Sequence, residues 1–271
     1  MKRKHLLKLG TLLLLSVFLL VGCNSKKEPE EKKTIKIGTM SIREPIVKWL
    51  GEELEKDGYT VEPVLYDGNH LPATALNEGS VDGVILNHKP WMETFNKENN
   101  AHLMMVEPYI YYGVNALWST KYDTVDEIPD GAKIAVPGDP TNLDRSLRLL
   151  QAAGFITLQD KPKDNFYNLL DIKENKKNIE IIETEINATI RSINDVDALI
   201  AYASDIKNAN LDHKKYVFED PANKDFQSGL IIREEDKDKD WVKKASEAFK
   251  SETFRDKFNE YYDETLILWE D

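Results

Sequence analysis

The sequence predicts an α/β fold in two lobes, each a mostly parallel sheet flanked by helices. Three observations carry this. Short apolar or alternating runs of strand length recur along the chain. Amphipathic stretches of about ten residues separate them, the spacing of βαβ units. The strands are also too many for a single sheet, and 271 residues are enough for two bodies of ordinary size.

Residues 34–39 alternate as a strand, and 44–56 follow as a helix in which Ile46, Leu50 and Leu54 stack at i+4 before Asp57-Gly58 closes it. Further strands are expected at 59–66, 81–86 and 102–106, with short helices at 72–78 and 90–96 between them. The pattern then repeats. Strands are expected at 111–118 and 133–136, and Asp139-Pro140 opens a long helix that stops at Gly154. A strand at 179–183, a short helix at 188–192 and strands at 196–201 and 229–233 come next. Two amphipathic helices close the chain, one using Val242, Ala245 and Phe249, the other Phe254, Phe258, Tyr261 and Tyr262.

The first residues read differently from the rest. Lys2, Arg3, Lys4 and Lys8 precede a short apolar run that ends in Leu20-Val21-Gly22-Cys23, with no acid among the first 22 residues. The run is shorter than the ~20 apolar residues of a membrane span and reads as a secretory leader. Cys23 is the only cysteine, which excludes an internal disulfide and a cysteine metal cluster. Its place at the end of the apolar run resembles the lipobox of bacterial lipoproteins. That resemblance implies cleavage after residue 22, a diacylglycerol on the Cys23 sulfur, and a charged tether over 23–33. Two or three acyl chains anchor a protein stably. The expected location is therefore the extracytoplasmic face of the cell membrane, with no later stretch long and apolar enough to span it.

The whole chain carries Lys+Arg 36 against Asp+Glu 48, a net charge of -12, and the basic leader hides a body four charges more acidic still. Such a field repels phosphate backbones, so nucleic acid is not expected as a partner. Catalytic and cofactor motifs are missing as well: there is no HExxH, GxSxG, GxGxxG or GxxxxGK[ST] pattern. His70, His88, His102 and His213 form no metal-ligand spacing, and the acidic run Glu234-Glu-Asp-Lys-Asp-Lys-Asp240 lacks the glycine and terminal glutamate of a calcium loop. No catalytic residue, metal or cofactor is expected.

Residues 128–154 read IPDGAKIAVPGDPTNLDRSLRLLQAAG, residues 75–91 read ALNEGSVDGVILNHKPW, and residues 195–205 read DVDALIAYASD. Together with the lipobox and the Phe218-Glu-Asp and Ile232-Arg-Glu-Glu-Asp segments, they resemble the NlpA/MetQ family, the substrate-binding lipoproteins of methionine-type ABC importers. The resemblance runs through the whole chain. It implies a type II-like periplasmic-binding-protein fold that closes on an amino acid, and a permease with its ATPase as partners. It also implies lobe one at 34–110 and 224–271, and lobe two at 111–223.

Asn142 and Arg145 lie at i and i+3 on the helix that Asp139 opens, apart from the Leu143, Leu147 and Leu150 stripe, so they can face a cleft while the leucines face the core. Arg145 matches the family arginine that holds the ligand carboxylate, and an arginine fork beside a helix N-terminus suits that group. The bland alternative is a surface pair with an acid such as Asp144. His88 matches the family histidine at the mouth of the sheet, as a ligand contact or a helix cap. Other positions depart from the family: Asn69 stands for a tyrosine, Leu86 for an aromatic, Ser204 and Ser228 for asparagines, and Asp205 for a tyrosine. Each buried ligand group whose partner is lost costs ~1–3 kcal/mol, so methionine affinity is not expected to be unchanged. Asp205 is read chiefly as a solvated helix acid, with contact to a ligand ammonium as the sharper alternative. The expected function is delivery of methionine, a related amino acid, a small peptide or another carboxylate to an ABC importer. A surface adhesin with a vestigial cleft, or an extracytoplasmic enzyme on the same scaffold, are the rivals.

Overall fold

The computed structural model describes residues 33–162 and 165–270. The leader, Cys23 and the tether as far as residue 32 lie outside the described residues. Chain order begins β1 (Thr34–Thr39), α1 (Glu44–Glu55), β2 (Thr60–Leu65), α2 (Leu71–Asn77), β3 (Gly83–His88), α3 (Lys89–Asn99), β4 (Leu103–Met105) and β5 (Tyr111–Gly113). It continues with β6 (Asn115–Trp118), β7 (Lys133–Pro137), α4 (Pro140–Ala152), β8 (Ile156–Leu158), β9 (Ile172–Asn175) and β10 (Glu180–Thr184). After these come α5 (Ile186–Thr189), β11 (Ala198–Tyr202), α6 (Ala203–Asn208) and β12 (Phe218–Glu219). The last elements are β13 (Gln227–Arg233), α7 (Asp240–Ala248), α8 (Glu252–Tyr262) and β14 (Leu266–Leu268).

Two sheets organise these elements. The first runs β14-β5-β13-β3-β1-β2, with β4 also on β13, and the second runs β10-β7-β11-β6-β12. In both, the parallel pairs lie together at one end of the sheet: β1 with β2 and β3, and β7 with β10 and β11. The remaining pairs are antiparallel: β13 with β3, β4 and β5, β14 with β5, and β6 with β11 and β12. The α/β class and two lobes stand, and "mostly parallel" becomes mixed. The first strand to enter each sheet after a crossing, β6 in the second and β13 in the first, runs against the parallel set beside it.

One expected strand divides. The run expected at 111–118 is two strands broken at Val114, because Tyr111–Gly113 hydrogen-bonds within the first sheet and Asn115–Trp118 within the second. Sheet membership thus leaves residues 111–113 with the first lobe, past the border expected at 110. The chain returns between β12 and β13. The hairpin β8–β9 and strand β14 were not expected, and their short runs leave little room for a period-2 pattern.

Each sheet has an apolar cluster on each face. In the first lobe, Ile46, Leu50 and Leu54 of α1 pack with Trp241 and Phe254 on one side, while Leu76, Trp91 and Phe95 cover the other. In the second, Leu147 and Leu150 of α4 pack on Ile134 and Val136, with Trp118 and Leu199 opposite. From Lys33 onward the chain forms one compact unit. No described helix is long and apolar enough to cross a membrane.

Candidate ligand-binding site

The C-terminal ends of the parallel strands of both sheets converge on one cavity of about 90 Å³. That is several times the ~10–15 Å³ a single water requires. Ligands of open α/β sheets collect at this end of the strands. The first sheet contributes Asn87 and His88 from the end of β3, and Ser228 beside His88 in register on β13. A break in the β13–β3 register follows Ser228, as bulges often do beside sites. The second contributes Asn142 from the first turn of α4, Tyr202 from the end of β11, and Asp205 from α6.

His88 caps a helix and lines the cavity at once. Its Nδ1 accepts the Trp91 backbone N–H at 3.1 Å, so the proton sits on Nε2, which donates to Asn142 Oδ1 at 3.2 Å. Burial, with the nearby Arg145 charge, pushes its pKa down to about 3, so the ring is neutral at ordinary pH. Asn142 is held from the other side. Its Nδ2 donates to both oxygens of Asp139, at 3.1 and 2.9 Å, while Asp139 also caps α4. The His88–Asn142 bond joins the two lobes across one edge of the cavity.

Arg145 stands one layer back. Its Nε donates to Asp220 Oδ2 at 2.6 Å, Nη1 to the Tyr202 hydroxyl at 3.0 Å and Nη2 to Asn223 Oδ1 at 2.7 Å. The Phe226 ring lies 3.7 Å from its guanidinium carbon. Arg145 faces a crevice of about 10 Å³ beside Tyr202 and Asp205, not the main cavity. Neither expected picture of Arg145 fits this arrangement: its fork is taken up inside the second lobe, and its acid is the buried Asp220. Asp144 pairs instead with Arg148 at 2.9 Å and accepts the Tyr167 N–H at 2.8 Å.

Of the other expected residues, Asn69, Leu86 and Ser228 line the cavity. Asn69 also receives Asn87 Nδ2 on its backbone carbonyl at 3.0 Å. Ser204 lies off the cavity and accepts from Arg43 Nη2 at 3.3 Å. Asp205 is half-buried rather than a fully solvated helix acid. It lines the cavity, and burial raises its carboxyl pKa, an effect that Arg43 only partly offsets. Arg43, buried on the turn between β1 and α1, also lines the cavity and was missed. Its position just past the end of a parallel strand was the available signal. Asn87 was missed too, masked by the neighbouring histidine.

The model of the NlpA lipoprotein family matches residues 35–268. The chain belongs to this family. It is 34% identical over 251 residues to the D-methionine-binding lipoprotein MetQ of Escherichia coli K12, covering 90% of each chain. It is 33% identical to lipoprotein 28 of the same strain, covering 91% of each. Among solved structures, the substrate-binding protein of a methionine transporter from Streptococcus pneumoniae superposes with TM-score 0.81 at 29% identity, covering 89% of this chain and 97% of that one. A nutrient-binding protein from Burkholderia cenocepacia bound to methionine gives TM-score 0.82 at 27% identity, covering 86% and 99%. The fold is that of two-lobed periplasmic substrate-binding proteins, and the family is one of binding proteins, not enzymes.

Proposed function

We propose that the chain is the solute-binding component of an ABC importer. It holds an amino-acid-like ligand between its lobes and hands it to a permease driven by its ATPase. One observation carries this reading: a cavity of mixed polar and apolar lining at the strand ends, walled by both lobes and large enough for a small solute. The relatives named for methionine binding and transport support the class of ligand. Closing the lobes desolvates the solute and strengthens every polar contact to it, and the closed shape is what a permease can recognise. In this reading the lobes divide at Val114 and again between β12 and β13, and these crossings are the hinges. His88 and Asn142 hold the lobes together at the cavity rim, with Asn69, Leu86 and Ser228 shaping the ligand's surroundings. Arg145 supports the wall from behind by fixing Tyr202.

Membrane attachment completes the proposal, with Cys23 carrying the lipid and the binding domain on the extracytoplasmic face. The family's designation as lipoproteins supports this. Calorimetry of the lipid-free domain against D- and L-methionine and the other amino acids tests the binding, and silence across the set refutes it. Palmitate labelling tests the anchor: Cys23→Ala is expected to abolish labelling and release the protein from membranes.

A further inference from the structure

Two charges reach this cavity from opposite lobes and feel each other's field, but neither makes an ion pair within 4.0 Å among the described residues. Arg43, from the first lobe, is 7% exposed, and no described carboxylate lies within 4.0 Å of its guanidinium. It is fixed by neutral groups: Nε donates to the Tyr111 hydroxyl at 3.2 Å and Nη2 to Ser204 Oγ at 3.3 Å. The Tyr111 and Tyr262 rings lie 5.6 and 5.9 Å from its Cζ. Asp205, from the second lobe, has no described lysine, arginine or histidine nitrogen within the same distance. Asn87 lines the same cavity, is 6% exposed, and its Oδ1 accepts no hydrogen bond.

The remaining charges around the cavity are already settled. Arg145 is neutralised by Asp220, and His88 is uncharged. The cavity therefore presents one cation, one anion and one vacant acceptor. An unpaired charge in a buried site is costly, and a ligand group of opposite sign removes that cost. An anion without an ammonium group would satisfy Arg43 and leave Asp205 facing it unpaired. A dibasic or dicarboxylic solute would bring a charge with no counterpart.

We propose that Arg43 and Asp205 are the ligand-selecting pair, Arg43 taking a carboxylate, Asp205 an ammonium, and Asn87 Oδ1 one further N–H of the same ligand. The preferred solute is thus a zwitterionic amino acid with an uncharged side chain. This selects among the amino acids, peptides and carboxylates that the sequence left open, and it rests on the binding-protein reading above.

The test pairs protein charges with ligand charges. Methionine, methioninol (no carboxylate) and 3-(methylthio)propionate (no ammonium) are titrated by calorimetry into the wild type, Arg43→Gln and Asp205→Asn, together with the uncharged-side-chain amino acids. An amino acid from the set is expected to bind the wild type, and each variant to weaken it by about 30-fold or more, the usual loss when one member of a buried charge pair is removed. Arg43→Gln should leave the weak binding of methioninol unchanged, and Asp205→Asn that of the propionate. Those selective patterns separate a lost contact from a damaged fold. Wild-type binding of an amino acid that both variants retain within threefold overturns this inference and leaves the binding-protein reading standing. Equal binding of the propionate and methionine by the wild type also overturns it. If no amino acid binds the wild type, the binding-protein reading itself fails.

Discussion

Asp220→Asn removes the charge that neutralises Arg145 while keeping the side chain's size. The two groups are 2.6 Å apart, with side chains 2% and 3% exposed. At an effective dielectric constant of about 20 their attraction is about 6 kcal/mol, part of which offsets the desolvation of both ions. Breaking such a pair from one side leaves a buried uncompensated charge and typically costs about 3–5 kcal/mol. For a chain of this size each kcal/mol moves the midpoint by about 2–4 °C, so the variant should melt about 6–20 °C below the wild type. Differential scanning calorimetry of the ligand-free domain reads this directly. A variant that also carries Arg145→Met should recover part of the loss, because both charges are then gone. A midpoint for Asp220→Asn within about 2 °C of the wild type would refute the structural role given to the pair and return Arg145 to the ligand.

Three further expectations follow from the same geometry. His88 has its pKa lowered on folding, so it favours the unfolded chain as pH falls below 6.5 towards about 3, at up to about 1.4 kcal/mol per unit. Urea titrations between pH 7 and pH 4.5 should show a steeper loss for the wild type than for His88→Asn. Asp205 has the opposite sign, since its raised pKa means stability present at low pH is lost as pH rises through the folded value; Asp205→Asn should therefore raise the neutral-pH melting midpoint of the ligand-free domain. At Gly113 a Cβ would come within 2.8 Å of Tyr202 Cδ1, across the meeting of the lobes, so Gly113→Ala should destabilise the chain by about 1–3 kcal/mol and weaken ligand binding.

Local chemistry made part of this molecule legible in its sequence. Asp139-Pro140 marks the start of α4 because a carboxylate cap and a fixed φ are properties of those two residues alone, and Gly154 marks its end with a φ of +86°. The i+4 apolar spacing of α1 is equally local. The division at Val114 was hidden because both halves of the run are apolar and buried, and only pairing with distant strands tells them apart. The same limit applies at the site. His88 and Asn142 could be found because each follows a strand or opens a helix. The partner of Arg145 could not, since Asp220 lies 75 residues away and the nearer Asp144 points elsewhere. Arg43 had only its place after β1 to mark it, because its setting comes from Tyr111 and Ser204, 68 and 161 residues distant.

Mass spectrometry under native conditions, on protein purified from its membrane without a refolding step, is the most direct test of the binding reading. The expected spectrum contains a one-to-one non-covalent adduct with the mass of a single uncharged-side-chain amino acid. That adduct should be released on acid denaturation and be absent from the Arg43→Gln, Asp205→Asn double variant. A spectrum of the bare chain alone, from a protein that no amino acid stabilises against heat, would contradict it.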